Sequence, residues 1–137
     1  MIKLICFDLD GVLIEAKKIH YLSLNDALPE KFKISWEEHL SKYDGLKTND
    51  KLNLLSKEKK LKTVDFKKIW NQKQINTLEQ IKKIKKSEKI FRVFKKLSSE
   101  YKIAVCSNSI KRTVLTALAK LEVIEYIDFI ISNEDVN

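Results

Sequence analysis

Apolar residues along this chain fall into two rhythms, and the change between them divides the sequence. Residues 2–7 (IKLICF) form a short, nearly continuous apolar run of strand length. From about 15 to 86 the apolar positions recur at helical spacing among lysines and other polar residues. IHYLSLNDAL (19–28) is amphipathic and stops at Pro29, and Ser35-Trp36-Glu37-Glu38 has the spacing of a capping box that opens a second helix. Asp44-Gly45 marks a turn and KLNLL (51–55) a third helix. Thr63 is positioned to cap a long fourth helix with apolar residues at Phe66, Ile69, Trp70, Leu78, Ile81 and Ile84. Beyond it, Ser87 caps EKIFRVFKKLSS (88–99), KIAVC (102–106) reads as a buried strand, IKRTVLTALAKL (110–121) as a helix and IDFII (127–131) as a strand.

Strands separated by helices predict an α/β fold with a Rossmann-like parallel sheet and right-handed crossovers. The domain organisation expected is a core of 1–14 with 87–137, interrupted by an inserted helical domain of 15–86. In such sheets ligands sit at the carboxyl ends of the strands, where Asp8, Asp10 and Ser107 all fall. Asp8 and Asp10 are two apart at the end of a strand, so their carboxylates converge while Leu9 turns away. Like charges so placed repel unless a cation or a shared proton resolves them, which points to chemistry rather than architecture. Gly11 follows directly, where the chain must turn sharply and leave backbone open to a ligand. Gly45 punctuates the helical insertion.

Composition adds bounds. The 137 residues, 44% hydrophobic and 34% charged, have the balance of a globular chain that buries a core. Cys6 and Cys106 sit inside apolar runs, so they read as small core residues of a reducing compartment. No run approaches the roughly 18 apolar residues of a membrane span, and two aspartates within the first ten residues exclude a signal-peptide core. A cytoplasmic protein without a membrane partner is expected. The net charge of +8 is mostly lysine, in runs such as KEKKLK (57–62) and IKKIKK (81–86) that suit solvated helix faces. Nucleic-acid binding is the weaker reading of that charge, because aromatic platforms do not interleave with the lysines.

FDLDGVL (7–13) followed by the helical insertion and then IAVCSNS (103–109) resembles the first two signatures of the haloacid dehalogenase superfamily of phosphohydrolases. The helical insertion resembles members with an α-helical cap, among them phosphoglycolate phosphatase and β-phosphoglucomutase, which often carry a histidine in the first cap helix, as His20 is here. The resemblance implies that Asp8 is a nucleophile forming an aspartyl-phosphate and Asp10 the general acid and then base. It implies Mg²⁺, held by the Asp8 side chain, the Asp10 backbone carbonyl and a later acidic residue. A cation answers the repulsion between carboxylates and phosphate, roughly 4 kcal/mol per close charge pair at an effective dielectric near 20. Ser107 is implied as a phosphate ligand, with the Asn108 and Ser109 amides at the start of helix 110–121 as further donors. The cap is expected to close over the site, and His20, Gly45, Lys47, Thr48 and Lys51 are its candidate substrate contacts.

The family's lysine-bearing third signature normally follows a sequence like FIISNEDV, here 129–136, and an acidic fourth signature comes later; the sequence ends at Asn137. Lys111 and Lys120 lie in the wrong element to replace that lysine. Glu134 and Asp135 precede the lysine's expected place rather than follow a fourth strand. The expectation is therefore the amino-terminal part of a helical-capped, Mg²⁺-dependent phosphatase for a small phosphorylated metabolite, impaired alone and with apolar surface exposed along 127–131. The alternatives are a phosphate-binding or regulatory module without catalysis and, behind it, a basic nucleic-acid-binding protein. Hydrolase and mutase share the Asp8 intermediate and are not separated by sequence.

Overall fold

The computed structural model describes residues 1–136. Its elements run β1 (Leu4–Asp8), α1 (Ala16–Ala27), α2 (Trp36–Glu38), α3 (Thr48–Lys59), α4 (Phe66–Ile81), α5 (Glu88–Leu97), β2 (Lys102–Cys106), α6 (Lys111–Lys120) and β3 (Phe129–Ile131), with short 3₁₀ turns between some of them. Contacts divide the chain into Met1–Ala16 with Ile81 onward, and Lys17–Gln80.

The first unit is an α/β layer on a three-stranded parallel sheet in the order β1-β2-β3. Both crossovers run the same way along the sheet, so right-handed connections put α5 and α6 on one side of it. That side is packed: Phe7 meets Phe94 of α5 with ring centroids 4.8 Å apart, and Ile103, Val105, Val114 and Leu118 are buried. Leu4, Cys6, Phe129 and Ile131 belong to the opposite face and are exposed, Phe129 to 54%, which agrees with the apolar exposure expected along 127–131. Cys6 is thus on the open face rather than in the core; the apolar run around it reflects strand composition, and its alternate residues face the two sides. Asp128 locks the start of β2 to β3, its carboxylate accepting from the Ile103 amide at 2.9 Å and Lys102 Nζ at 2.7 Å.

The second unit is helical and has its own core of Leu24, Leu28, Phe32, Ile34, Tyr43, Leu52, Leu55, Leu61 and Ile69. Asn25 fastens α1 to the following chain by accepting from the Ile34 amide and donating to its carbonyl, both at 2.9 Å. The capping box forms as read: Ser35 Oγ accepts from the Glu38 amide at 3.1 Å, and Glu38 Oε2 accepts from the Ser35 amide at 2.9 Å. After one turn, α2 widens into a π-helical turn, His39–Tyr43. Two expectations change. Thr63 does not cap a helix but begins a 3₁₀ turn, Thr63–Asp65, that leads into α4. Ile84 lies beyond the end of α4 at Ile81.

The π turn carries the fully buried His39, stacked on Trp36 at 5.4 Å and 21° and 5.4 Å from Tyr21. Burial pushes its imidazole down to about 4, and the Lys51 ammonium adds to the shift. The neutral ring is therefore the folded form, and protonation favours the unfolded chain, whose histidines titrate near ~6.5. His39 leaves stability unchanged above that pH and removes up to about 3 kcal/mol as pH falls from ~6.5 to about 4. Urea midpoints at neutral and mildly acidic pH should separate much further in the parent than in His39→Phe, which keeps the stacking; equal separations would exclude this titration.

Candidate active site

The residues singled out from sequence fall into two sets, one in each unit. In the sheet unit, β1 pairs with β2 in the register Cys6↔Ala104 and Asp8↔Cys106. This pairing sets Asp8 beside the residue that precedes Ser107. Asp8, Ser107 and Asn108 line one cavity of about 380 Å³ with Cys6, Cys106 and Ile131 among its walls. One Asp8 oxygen, Oδ1, accepts from the Leu9 amide at 2.7 Å, which fixes the plane of the carboxylate and leaves Oδ2 to address a ligand. Asp10 follows in an isolated bridge with Ile14, and Ser109 Oγ donates to Asp10 Oδ2 at 3.4 Å.

Gly11 has φ +82°, a left-handed conformation that glycine adopts without strain. Its amide donates to the Ile14 carbonyl at 2.7 Å, so this residue provides the turn rather than an open donor. After β2, too, some amides have partners within the chain. The Ser109 amide donates to Ser107 Oγ at 3.0 Å, and the Lys111 amide donates to Glu134 Oε2 at 2.6 Å. The start of α6 thus already holds a carboxylate, as the positive end of a helix dipole favours, rather than presenting that amide to a phosphate. Ser107 accepts from Ser109, which directs its own hydroxyl proton elsewhere.

The reason for this arrangement is a clamp that sequence reading missed. The 132–135 segment folds back on the Ser107–Lys111 loop: the Asn133 amide donates to the Ser109 carbonyl at 3.2 Å, and Asn133 Nδ2 to the Asn108 carbonyl at 2.8 Å. Asp135 accepts from the Ser132 amide at 2.8 Å and the Ser132 hydroxyl at 2.7 Å, and pairs with Lys111 Nζ at 3.0 Å. Glu134 and Asp135 are therefore ligands of the loop itself. No local pattern announces their hold on Lys111, which lies more than twenty positions away in sequence.

In the helical unit, Gly45 has φ +76° and Lys47 is exposed. Thr48 Oγ1 accepts from Gln74 Nε2 at 3.4 Å, and Lys51 is buried. His20 Nδ1 lies 3.5 Å from Nζ of Lys73, a buried lysine of α4 that sequence reading passed over. A signal was available: Lys73, Gln74 and Thr77 occupy the same helical stripe as Ile69, Trp70, Leu78 and Ile81, so they are polar residues at buried positions. Among the described residues no three His, Cys, Asp or Glu side chains gather as a metal site, and no helix is long and apolar enough to cross a membrane.

The family model for haloacid dehalogenase-like hydrolases matches residues 5–137. A predicted phosphoglycolate phosphatase from Haemophilus somnus superposes with a TM-score of 0.80 at 21% identity, over 98% of this chain and 64% of that one. β-Phosphoglucomutase from Clostridium difficile gives 0.72 at 19% identity, over 100% and 64%. A haloacid dehalogenase-type hydrolase from Bacillus subtilis, solved bound to magnesium, gives 0.64 at 15% identity, over 98% and 66%. The chain thus spans about two thirds of the length of these structures. No curated protein sequence matches it.

The Ser132, Lys111 and backbone contacts hold the Asp135 carboxyl down at about 2, with the Ser132 hydroxyl the largest cause. Its contribution to folding is fully present above the ordinary aspartate range near ~4 and is lost as pH falls through about 2. A carbon-detected NMR titration should place this carboxyl below the exposed aspartates. The stability of Asp135→Asn should change less between pH 4 and 2 than that of the parent, and equal acid dependence would show that the clamp does not stabilise the fold.

Proposed function

Because the chain belongs to the family of haloacid dehalogenase-like hydrolases, we propose that it carries the phosphoryl-binding end of a Mg²⁺-dependent phosphomonoesterase acting on a small phosphorylated metabolite of the cytoplasm. The observation that supports this most directly is the convergence of Asp8, Ser107 and Asn108 on one cavity at the carboxyl end of β1 and β2.

In this reading Asp8 Oδ2 attacks phosphorus while Oδ1 stays bonded to the Leu9 amide. The bond from phosphorus to the ester oxygen breaks as the new one forms. Protonated Asp10 delivers its proton to the departing oxygen, so the alcohol leaves neutral and Asp8 holds the phosphoryl group. The Asp10 carboxylate then takes a proton from water, whose oxygen attacks phosphorus and releases phosphate and free Asp8. Ser107 donates its hydroxyl to a phosphate oxygen, and the Asn133 contacts keep its loop in place. A mutase that returns the phosphoryl group to a second hydroxyl uses the same first half-reaction.

The donor set suits Mg²⁺, a hard ion satisfied by one or two carboxylates, substrate oxygens and water: Asp8 and the Asp10 backbone carbonyl would hold it. Its chemistry there is neutralisation of the charge that phosphate and carboxylates bring together. The Bacillus subtilis structure bound to magnesium is a family precedent. On the helical unit, His20, Gly45, Lys47, Thr48 and Lys51, joined by Lys73, are the proposed contacts to the rest of the substrate.

A second reading is binding without hydrolysis by this chain alone. It is favoured by the lack of a third acidic metal-binding side chain among the described residues and by Lys111 being paired with Asp135. We expect little turnover of p-nitrophenyl phosphate by this chain with Mg²⁺, since one missing charge-stabilising group commonly costs about a hundredfold or more in rate. Beryllofluoride, which mimics a phosphoryl group on aspartate, should nonetheless bind in the presence of Mg²⁺ by fluorine NMR, and Asp8→Asn should abolish that signal. Binding that persists in Asp8→Asn, or that ignores Mg²⁺, would sink the assignment. Binding to arbitrary DNA with steep salt dependence, in the absence of any beryllofluoride signal, would favour a nucleic-acid partner.

A further inference from the structure

The two cysteines are a hundred residues apart in sequence, yet their Sγ atoms lie 3.6 Å from each other across β1 and β2. Both are free thiols and both line the cavity that holds Asp8, Ser107 and Asn108. Cys6 is exposed and Cys106 partly so. The register sets Cys106 opposite Asp8, and Cys6 lies two positions before Asp8 on the same face of β1. The phosphatase chemistry proposed above uses neither sulfur.

From this juxtaposition we infer that Cys6 and Cys106 form an oxidative modification site, closed by a hydroperoxide into a reversible disulfide that joins the strand bearing Asp8 to the strand leading into Ser107. The peroxide oxidises the more exposed sulfur, Cys6, to a sulfenic acid: one peroxide oxygen is transferred to sulfur and the other leaves as water or an alcohol. The Cys106 sulfur then attacks that of Cys6, the S–O bond breaks and water departs. In sum two S–H groups are oxidised by two electrons and one peroxide is reduced. A dithiol reverses the step by exchange.

Closing from 3.6 Å to the ~2.05 Å of an S–S bond requires a movement of about 1.6 Å. Cys106 stands opposite Asp8 rather than Cys6, so strand geometry sets the two Cα atoms about 8 Å apart and the backbone of these neighbouring strands must shift with the side chains. The movement falls on residues adjacent to Ser107 and to Asp8, where displacements of about 1 Å are costly to a phosphoryl-binding geometry. Oxidation is therefore a means of turning the site down, and reduction of restoring it. This consequence rests on the proposed function, whereas the cross-link itself does not.

Intact mass, thiol alkylation and backbone-amide NMR on the whole chain test the inference, before and after hydrogen peroxide and again after dithiothreitol. The expected result is a monomer lighter by two hydrogens, a fall in alkylatable thiols from two to none, and reversible shifts of the Asp8 and Ser107–Ser109 amides. Cys6→Ser, at an exposed position, should keep the reduced spectrum around Ser107 and lose the peroxide response that dithiothreitol reverses. Stepwise oxygen addition without loss of two hydrogens, disulfide-linked dimers alone, unreacted thiols, or a cross-link that leaves those amides unmoved would each overturn it. If reduced protein binds beryllofluoride, the oxidised form should bind at least tenfold more weakly. Absence of binding to the reduced form would count against the phosphatase reading and leave the mass and NMR results to decide the cross-link.

Discussion

Everything at the candidate active site depends on one register, the parallel pairing of Asp8 with Cys106. The side-chain period of a strand is two, so a slip of one residue would send Asp8 and Cys6 to the helix-covered side and break the Phe7 contact with Phe94. That register is over-determined. Ile103 and Val105 must be buried, and the Asp128 carboxylate pins the beginning of β2 through the Ile103 amide. Hydrophobic burial decides which face is which, and hydrogen bonding decides the position along the strand. The placement of Asp8 is a consequence of both.

A second constraint acts on the polar loop after β2. Loops that bind anions must keep donors in place without ligand, and here the rigidity comes from the 132–135 segment. Asn133 holds two carbonyls of the loop, while Glu134 and Asp135 take the Lys111 amide and ammonium. The result explains why the Ser109 amide, expected to bind phosphate, has an internal partner: the loop is stabilised by its own polar groups. Preorganisation of this sort reduces the ordering that a ligand must otherwise impose.

The helical unit follows a different logic. Its apolar core is ordinary in composition, but Lys51, Lys73, His39, Gln74 and Thr77 are also buried, and ionisable groups are rarely buried without a specific environment. His39 shows what that environment does, since burial beside aromatic rings and near Lys51 keeps it neutral. Polar groups at such positions lower the stability that the same helices would have with apolar residues there. Gln74 and Thr77 are satisfied there, Gln74 donating to Thr48 and Thr77 to the Lys73 carbonyl.

Local signals in the chain were enough for the secondary structure, because each rests on short-range physics. Pro29 ends a helix, Ser35 with Glu38 and Ser87 open others through their own side chains, and uninterrupted apolar runs mark strands. They were also enough to place Asp8, Asp10 and Ser107 at strand ends, given that parallel sheets put ligands there. Local logic failed at several points, not all of them through a distant partner. Thr63 entered a 3₁₀ turn, the Gly11 amide found Ile14, and the start of α6 found Glu134. Cys6 appeared to be core because its neighbours are apolar, but which face of β1 is covered depends on where both crossover helices pack. The sequence by itself determined most of the elements and put forward Asp8, Asp10 and Ser107 as candidates for phosphoryl chemistry. Only the tertiary structure decided which loop donors are engaged internally and that two remote thiols meet, because the first is settled by contacts spanning 23 to 25 positions and the second by strands a hundred positions apart.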